Sequence, residues 1–367
     1  MSEKLRCIEL FCGCGGMALG LKNADFTVEY AADLEPSAVA TYKKNLSPDA
    51  AEEDVSKITP RKLLDVVQLE PGELDLMSGG PPCQGFSKQR RGAHILEDER
   101  NFLIRNYVEL IDGVRPRAFI LENVAVFGQK RGRVYLEELS SALHGEYYLH
   151  PHFYNSADFG LAQTRQRFVL VGIRRDVVGS FEAPKPTVQN WKTVQEAIGD
   201  LPPPPADCNT HPEYPNHRTT RISEANRLRF SFVPQGGGWQ DIPWEHRLDC
   251  HKVTDPKAGG WPDVYGRLCW DKQCPTITGG FDSFTRGRYG HPEQDRALTP
   301  REAARLQGFP DWFEFVGNRH QVRHQIGNAV PPPLAQAIGE SIKKAFHGGG
   351  ARNVIKSDTA SQFTLEI

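Results

Sequence analysis

Apolar residues cluster in short dense runs along the first half of the chain, and each run stops at a polar or glycine-rich step. Residues 5–11 (LRCIELF) predict a buried strand, which breaks into CGCGG before MALGLKNA, a glycine turn followed by the start of an amphipathic helix. FTVEYAAD predicts a second strand ending on an acid, AVATYKKN a helix, DVSKI a loop, and ELDLMSGG another strand meeting glycines. Residues 101–113 repeat at helical spacing, RAFILENV (117–124) is a further apolar strand, 133–143 is helical, and RFVLVGIR is again a strand. Strands alternating with helices predict an α/β fold with an open, mostly parallel sheet, and such sheets bind ligands at the carboxyl ends of their strands.

The texture changes near residue 176. Pro, Gly, Trp and His become frequent, helical periodicity fades, and Pro202–Pro205 is a run of four prolines. This predicts a second, irregular domain. Helical patterning returns at 299–309 and 333–346, and residues 347–367 lose all pattern, as a tail does. A hydrophobic share of 39% with 34 glycines excludes a wholly disordered chain. The balance of 44 Lys+Arg against 46 Asp+Glu, a net charge of −2, excludes a histone-like, strongly basic binder. The eight cysteines are too sparse for a disulfide scaffold, and Cys208, His211, Cys250, His251, Cys269 and Cys274 lack the paired spacing of a zinc site, so no metal is expected. With neither a membrane span nor a signal peptide in the pattern, the chain reads as cytosolic or, in a eukaryote, nuclear.

Four motifs carry chemistry. In Phe11-Cys12-Gly13-Cys14-Gly15-Gly16 the glycines let backbone approach a ligand at a helix N-terminus, and Asp33 at the end of the second strand suits ribose hydroxyls; a tight structural turn is the plain alternative. Gly79-Gly80-Pro81-Pro82-Cys83-Gln84-Gly85-Phe86-Ser87 presents a cysteine on a proline-stiffened loop, either as a nucleophilic thiolate or as a buried thiol. Glu122-Asn123-Val124 ends an apolar strand with a carboxylate that is either solvated or a raised-pKa acid facing a pocket. Gln163-Thr164-Arg165-Gln166-Arg167 sets two guanidinium groups at alternate positions, on a solvated strand edge or around a phosphate or base edge.

Taken together, FCGCGG, GGPPCQGFS, ENV, QTRQR, TPREAARLQGFP and QIGNAVPPP resemble, in order and spacing, the cytosine-5 DNA methyltransferases. The resemblance covers about 1–176 and 298–345. It implies a Rossmann-like, S-adenosylmethionine-dependent methyltransferase sheet in 1–176, a smaller irregular target-recognition domain in 177–297, a return to the catalytic domain in 298–346 and a tail in 347–367. It further implies that Cys83 adds to C6 of cytosine, that Glu122 hydrogen-bonds the base, and that Arg165 holds the base and its developing charge, with Arg167 a structural or phosphate partner. For the cofactor it points to Phe11 against adenine, Gly13, Gly15, Gly16 and Gly80 along the methionine side, Asp33 and Leu34 at the ribose, Asp54 and Val55 at the adenine edge, and Asn328 and Ala329 closing the site. The product would be S-adenosylhomocysteine.

A cytosine inside a duplex is out of reach, so the resemblance implies base flipping, with Gln84, Ser87, Arg90 and Arg91 on the loop that meets the DNA. The nucleophile motif PPCQGFS departs from the PPCQPF usual in tRNA-directed relatives, which favours double-stranded DNA as partner, and the intact Cys83, Glu122 and Arg165 argue against a catalytically dead relative. Candidates for reading sequence or phosphate are the cluster Arg218, Arg221, Arg227 and Arg229, the Gly236–Trp239 turn, and Arg286 with Arg288. A bacterial or phage-encoded, cytoplasmic monomer without membrane contact is expected, with a cognate restriction endonuclease as a functional rather than a stably bound partner.

Overall fold

A computed structural model describes residues 4–82, 102–129, 132–253 and 263–348. In chain order it contains β1 (Leu5–Leu10), α1 (Gly16–Asn23), β2 (Phe26–Asp33), α2 (Pro36–Asn45), β3 (Ala51–Glu52), α3 (Pro60–Val67), β4 (Leu76–Gly79), α4 (Phe102–Val114), β5 (Ala118–Val124), α5 (Arg133–Leu143), β6 (Tyr147–Asn155), β7 (Gln163–Thr164) and β8 (Gln166–Arg174). Then follow α6 (Val194–Ile198), α7 (Glu224–Ser231), α8 (Asp249–Lys252), β9 (Cys274–Pro275), α9 (Pro300–Leu306), α10 (Arg319–Asn328) and α11 (Pro332–Phe346).

Among the described residues a seven-stranded sheet runs in the order β3-β2-β1-β4-β5-β8-β6. The first five strands are parallel, while β8 is antiparallel to both β5 and β6. The strands read as continuous apolar runs because helices cover both faces. On one face Ile8, Leu10, Met77, Phe119 and Leu121 pack with Leu63 and Leu64 of α3, Tyr107 and Ile111 of α4 and Leu139 of α5. On the other, Cys7, Leu76, Ile120, Val169 and Val171 pack with Met17 and Leu21 of α1 and Leu334, Ile338 and Ile342 of α11. A Cβ on Gly20 would stand 2.3 Å from the Pro332 carbonyl oxygen, so α11 lies directly on α1. Pro151 is tolerated in β6 because that strand is an edge of the sheet.

From β1 the chain moves outward to β2 and β3, then returns to β4 on the other side of β1. The crevice between the carboxyl ends of β1 and β4 is therefore the topological switch point, where α/β sheets bind ligands. Residues 177–297 are mostly turns and short helices. Phe230, Val233, Trp239, Ile242, Tyr265, Phe284 and Ala297 form a small core of their own. The expected boundaries are not clean cuts, however: Val194, Ile198, Leu268 and Ile277 share a core with Cys14, Leu306, Phe309 and Ile326.

Candidate active site

Leu10 on β1, Gly79 on β4 and Leu121 on β5 lie on one rung, so Phe11, Gly80 and Glu122 emerge side by side at the edge of the sheet. Because β8 runs against β5, its first residues reach this same edge: Glu122 pairs with Val169 and Val124 with Arg167. Directly opposed residues share a face, which makes Glu122 and Arg167 diagonal neighbours on one side of the sheet. Arg167 Nε lies 2.8 Å from Glu122 Oε1, with both side chains largely shielded from solvent. Burial pushes the Glu122 carboxyl above the usual carboxylate range, and the Arg167 and Arg165 cations pull it partly back. Glu122 therefore keeps a proton to higher pH than a solvated glutamate does.

The turn leading into Cys83 is fixed against this carboxyl. A Cβ on Gly80 would lie 3.3 Å from Glu122 Oε2, so Gly80, expected beside the cofactor's methionine, borders the glutamate. Asn123 Nδ2 donates to the Pro81 carbonyl at 3.1 Å. Nothing in the motif ENV foretells this role for Asn123. Cys83 itself lies outside the described residues, as do Gln84, Ser87, Arg90 and Arg91.

Arg165 requires a correction. It is fully buried; Nη1 donates to the Ile277 carbonyl at 2.8 Å, and Nη2 to the carbonyls of Gly327 and Ala329 at 2.9 and 3.1 Å. Its Nε has no acceptor among the described residues. Arg165 thus braces β8 against the 277 segment and the end of α10, and acts on Glu122 as a buried cation through space. The guanidinium that meets Glu122 directly is that of Arg167. Alternation in the sequence places both on one strand edge, but only the long-range carbonyls at 277, 327 and 329 separate their roles.

On the cofactor side, Phe11 has a left-handed backbone at φ 55°, a strained conformation for a non-glycine residue, and its ring meets Tyr107 edge-on. Gly13 N donates to Asp33 Oδ2 at 2.8 Å and Glu35 N to Asp33 Oδ1 at 2.9 Å, binding the glycine turn to the end of β2. Burial raises the Asp33 carboxyl. A Cβ on Gly13 would meet nothing within 4 Å, and Leu34 leaves 67% of its apolar side chain exposed. Open space at the glycine turn, an acid at the end of β2 and an uncovered leucine beside it fit a bound nucleoside. Asn328, exposed at the end of α10, and Ala329 come from the far end of the chain to the same side.

Four other expected cofactor residues also make packing or capping contacts. A Cβ on Gly15 would stand 2.2 Å from Leu46 Cδ1, and one on Gly16 2.3 Å from the Val330 carbonyl oxygen, so both glycines are required by helix packing. Asp54 accepts from the Ser56 amide at 3.1 Å and its hydroxyl at 2.7 Å, and pairs with Lys57. Its carboxylate is taken up by its own turn, while the Val55 side chain is in the core.

Among the arginines singled out beyond residue 210, Arg221, Arg227 and Arg286 are exposed and Arg218 is half-buried. Arg288 pairs with Asp263 at 2.5 Å, and Arg229 donates to the His246 carbonyl at 2.8 Å. Among the described residues no group of three or more His, Cys, Asp or Glu side chains gathers as a metal site, and no helix is long and apolar enough to cross a membrane.

The switch-point glycine turn, the acid ending β2 and the Pro81 segment held beside a largely shielded glutamate fit an α/β group-transfer enzyme with a nucleoside-bearing cofactor. The family model for C-5 cytosine-specific DNA methylases matches residues 5–344, and the chain belongs to that family. Type II methyltransferase M.BbvI of Brevibacillus brevis is 35% identical, with 94% of this chain and 92% of that protein covered. Type II methyltransferase M1.HphI of Haemophilus parahaemolyticus is 36% identical, with 92% and 86% covered. A prophage-encoded E. coli protein, described as a DNA modification methyltransferase, superposes with a TM-score of 0.69 at 26% identity, covering 94% of this chain and 99% of that one. The protein is a cytosine-5 DNA methyltransferase that uses S-adenosylmethionine as methyl donor and passes through a covalent cysteine adduct.

Proposed function

We propose that Cys83 is the nucleophile, Glu122 the proton-holding partner of the base and Arg167, rather than Arg165, the cation beside it. The observation that carries this reading is the attachment of the Pro81 turn to Asn123 and the closeness of Gly80 to Glu122, which sets the start of the cysteine loop against a carboxyl with a raised proton affinity. When bound, S-adenosylmethionine supplies an electrophilic methyl group; Phe11, Gly13, Asp33, Leu34 and Asn328 would hold it.

The Cys83 thiolate forms a bond to C6 of the flipped cytosine, and the electron pair of the C5–C6 double bond moves towards C5. Glu122 assists by donating its proton to the ring nitrogen, so the ring does not build up full negative charge. C5 can then accept a methyl group. Loss of the C5 proton to water restores the C5–C6 double bond and expels the Cys83 thiolate, and the ring nitrogen returns its proton to Glu122, so one difficult substitution at carbon is split into two easier steps. Arg165 holds β8 so that Arg167 stays on Glu122.

We take the protein to be a monomer that works in a bacterial cytoplasm on one duplex sequence, and the bacterial Type II names of its relatives favour a cognate restriction endonuclease beside it. Duplex DNA carrying 5-fluorocytosine tests the central reading, since fluorine cannot leave as the C5 proton does. A stable protein–DNA adduct is expected with the wild type and S-adenosylmethionine, and none with Cys83→Ala. An adduct that persists in Cys83→Ala would refute the assignment.

A further inference from the structure

A cavity of about 430 Å³ lies between the 280–286 segment and the N-terminal half of α10, lined by Ser283, Arg286, Asn318, Arg319, His320 and Arg323. Its charge is unbalanced. Asp282, itself buried, receives Arg319 Nε and, at 3.4 Å, Arg323 Nη1, while its backbone carbonyl accepts from Arg319 Nη2 at 3.1 Å. One carboxylate therefore orients two guanidinium groups without neutralising them both. Arg286 adds a third, with no hydrogen-bond or ion-pair partner among the described residues. The His320 ring lies against that of His324, one turn further along, with centroids 4.3 Å apart and the planes tilted by 34°.

Arg323 Nε is buried and has no acceptor among the described residues. A buried donor without an acceptor, in a concave wall of uncompensated cations, is the signature of a site for an oxygen anion. The helix end does not supply the donors. Asn318 and Gln321 cap each other, with Gln321 N donating to Asn318 Oδ1 at 3.0 Å and Asn318 N to Gln321 Oε1 at 2.9 Å. The anion would thus be held by guanidinium forks, which suit two oxygens of one phosphate.

Position narrows the ligand. Gly279 packs on His324 and Gly280 on Arg286, and α10 continues to Gly327, whose carbonyl is held by Arg165. Arg319 and Gly327 are eight residues apart, about 12 Å along a helix, which equals three or four nucleotides at about 3.4 Å each. We propose that this cavity binds a backbone phosphodiester of the DNA duplex a few nucleotides from the target cytosine; the proposal rests on the chain acting on DNA. Such a contact fixes the register of the duplex and reads no base.

Binding of the full-length protein to duplexes of several unrelated sequences, measured between about 50 and 300 mM KCl, tests it. Because the Arg286 side chain has no hydrogen-bond or ion-pair partner among the described residues, Arg286→Gln should leave the fold unaffected. The plot of log affinity against log salt should flatten by about one unit for Arg286→Gln and about two for Arg286→Gln/Arg319→Gln, equally on every sequence, while Arg286→Lys keeps the wild-type slope. Thermal unfolding confirms that the double variant is folded. An unchanged slope overturns the proposal, as does a loss confined to particular sequences, which would mean base reading. If inorganic phosphate raises the melting temperature of the wild type but not of Arg286→Gln, while the DNA slope stays the same, the site belongs to free phosphate and the proposal fails. Failure of the wild type to bind any duplex would remove the DNA reading beneath it.

Discussion

In the sheet, β5 is hydrogen-bonded along both sides, to β4 and to β8, and its carbonyls are met chiefly by backbone, with the Tyr107 hydroxyl adding a bond to the Ile120 carbonyl at 2.8 Å. In the irregular region between residues 202 and 298, where the described chain offers only the two-residue strand β9, guanidinium groups take over that work. Arg267 is nearly fully buried. It donates to the carbonyls of Val233 at 2.6 Å, Phe230 at 2.8 Å, His291 at 3.1 Å and Gln294 at 3.2 Å, and lies 4.1 Å over the Phe230 ring. Arg301 does the same across the boundary, for the carbonyls of Pro215, Pro310 and Phe313. Where repetitive structure is absent, a planar fork of five donors is the compact way to satisfy converging carbonyls. An arginine in this region is therefore not evidence of a DNA footprint until its partners are known.

The comparison breaks most easily at Arg267. Arg267→Ala removes a donor from four carbonyls and the Asp295 carboxylate, leaving those of Val233 and His291 with none among the described residues, and is expected to destabilise the protein by about 3–5 kcal/mol. Arg267→Lys should recover little of this, because one ammonium cannot reach four carbonyls on two segments. Urea unfolding measures both. Wild-type stability in Arg267→Lys would mean that charge, and not the shape of the donor fork, holds the region together.

The sequence was most legible where this contrast favours the sheet. The runs at 5–11, 26–33 and 117–124 become β1, β2 and β5 almost residue for residue, because burial on both faces leaves an unbroken apolar signature. α10 was not legible: in RHQVRHQIGN only Val322 and Ile326 carry an apolar period, and the helix is set by a capping box and by the buried Gln325. The antiparallel entry of β8 was not legible either, and it decides that Arg167 rather than Arg165 meets Glu122. At the site, the motif residues Glu122, Asp33 and Gly80 do gather at one edge. The roles of Asn123, Arg165 and Asp54 depend on partners far along the chain or on a local cap, which spacing alone does not encode.

Two buried carboxyls sharpen the comparison further. Where the irregular region meets α9, burial of Glu302 is outweighed by Arg296, whose nitrogens lie 2.6 and 2.8 Å away, and its carboxyl sits below the usual range. In the sheet, Glu9 on β1 has no cation. Burial pushes it up to about 8 against the opposing hydrogen bonds from Tyr42 and the Ala18 amide. The native state thus keeps a proton on Glu9 that the unfolded chain releases above about pH 4.5. Stability from this group is complete below that pH and is lost as pH rises towards 8, about 2 kcal/mol of it between pH 6 and 8. Glu9→Gln should flatten the decline, with melting curves of variant and wild type diverging between pH 6 and 8. Parallel curves would show that Glu9 is solvated or paired in solution.

The smallest effect tests whether the two halves stand or fall together. Ile120→Val removes one methylene from the β5 core, where Ile120 is 1% exposed, and should cost about 1 kcal/mol with no change in hydrogen bonding. Arg267 lies in the other half, but both halves feed the core that joins Cys14 and Leu19 of the sheet layer to Leu268, Ile277 and Phe281. If that shared core makes one cooperative unit, Ile120→Val and Arg267→Ala lower the same single unfolding transition, by unequal amounts, and near-ultraviolet and far-ultraviolet signals coincide in both. A second transition in Arg267→Ala, with the sheet melting at the wild-type midpoint, would show instead that the guanidinium-bound region unfolds alone. The shared core would then be contact without coupling.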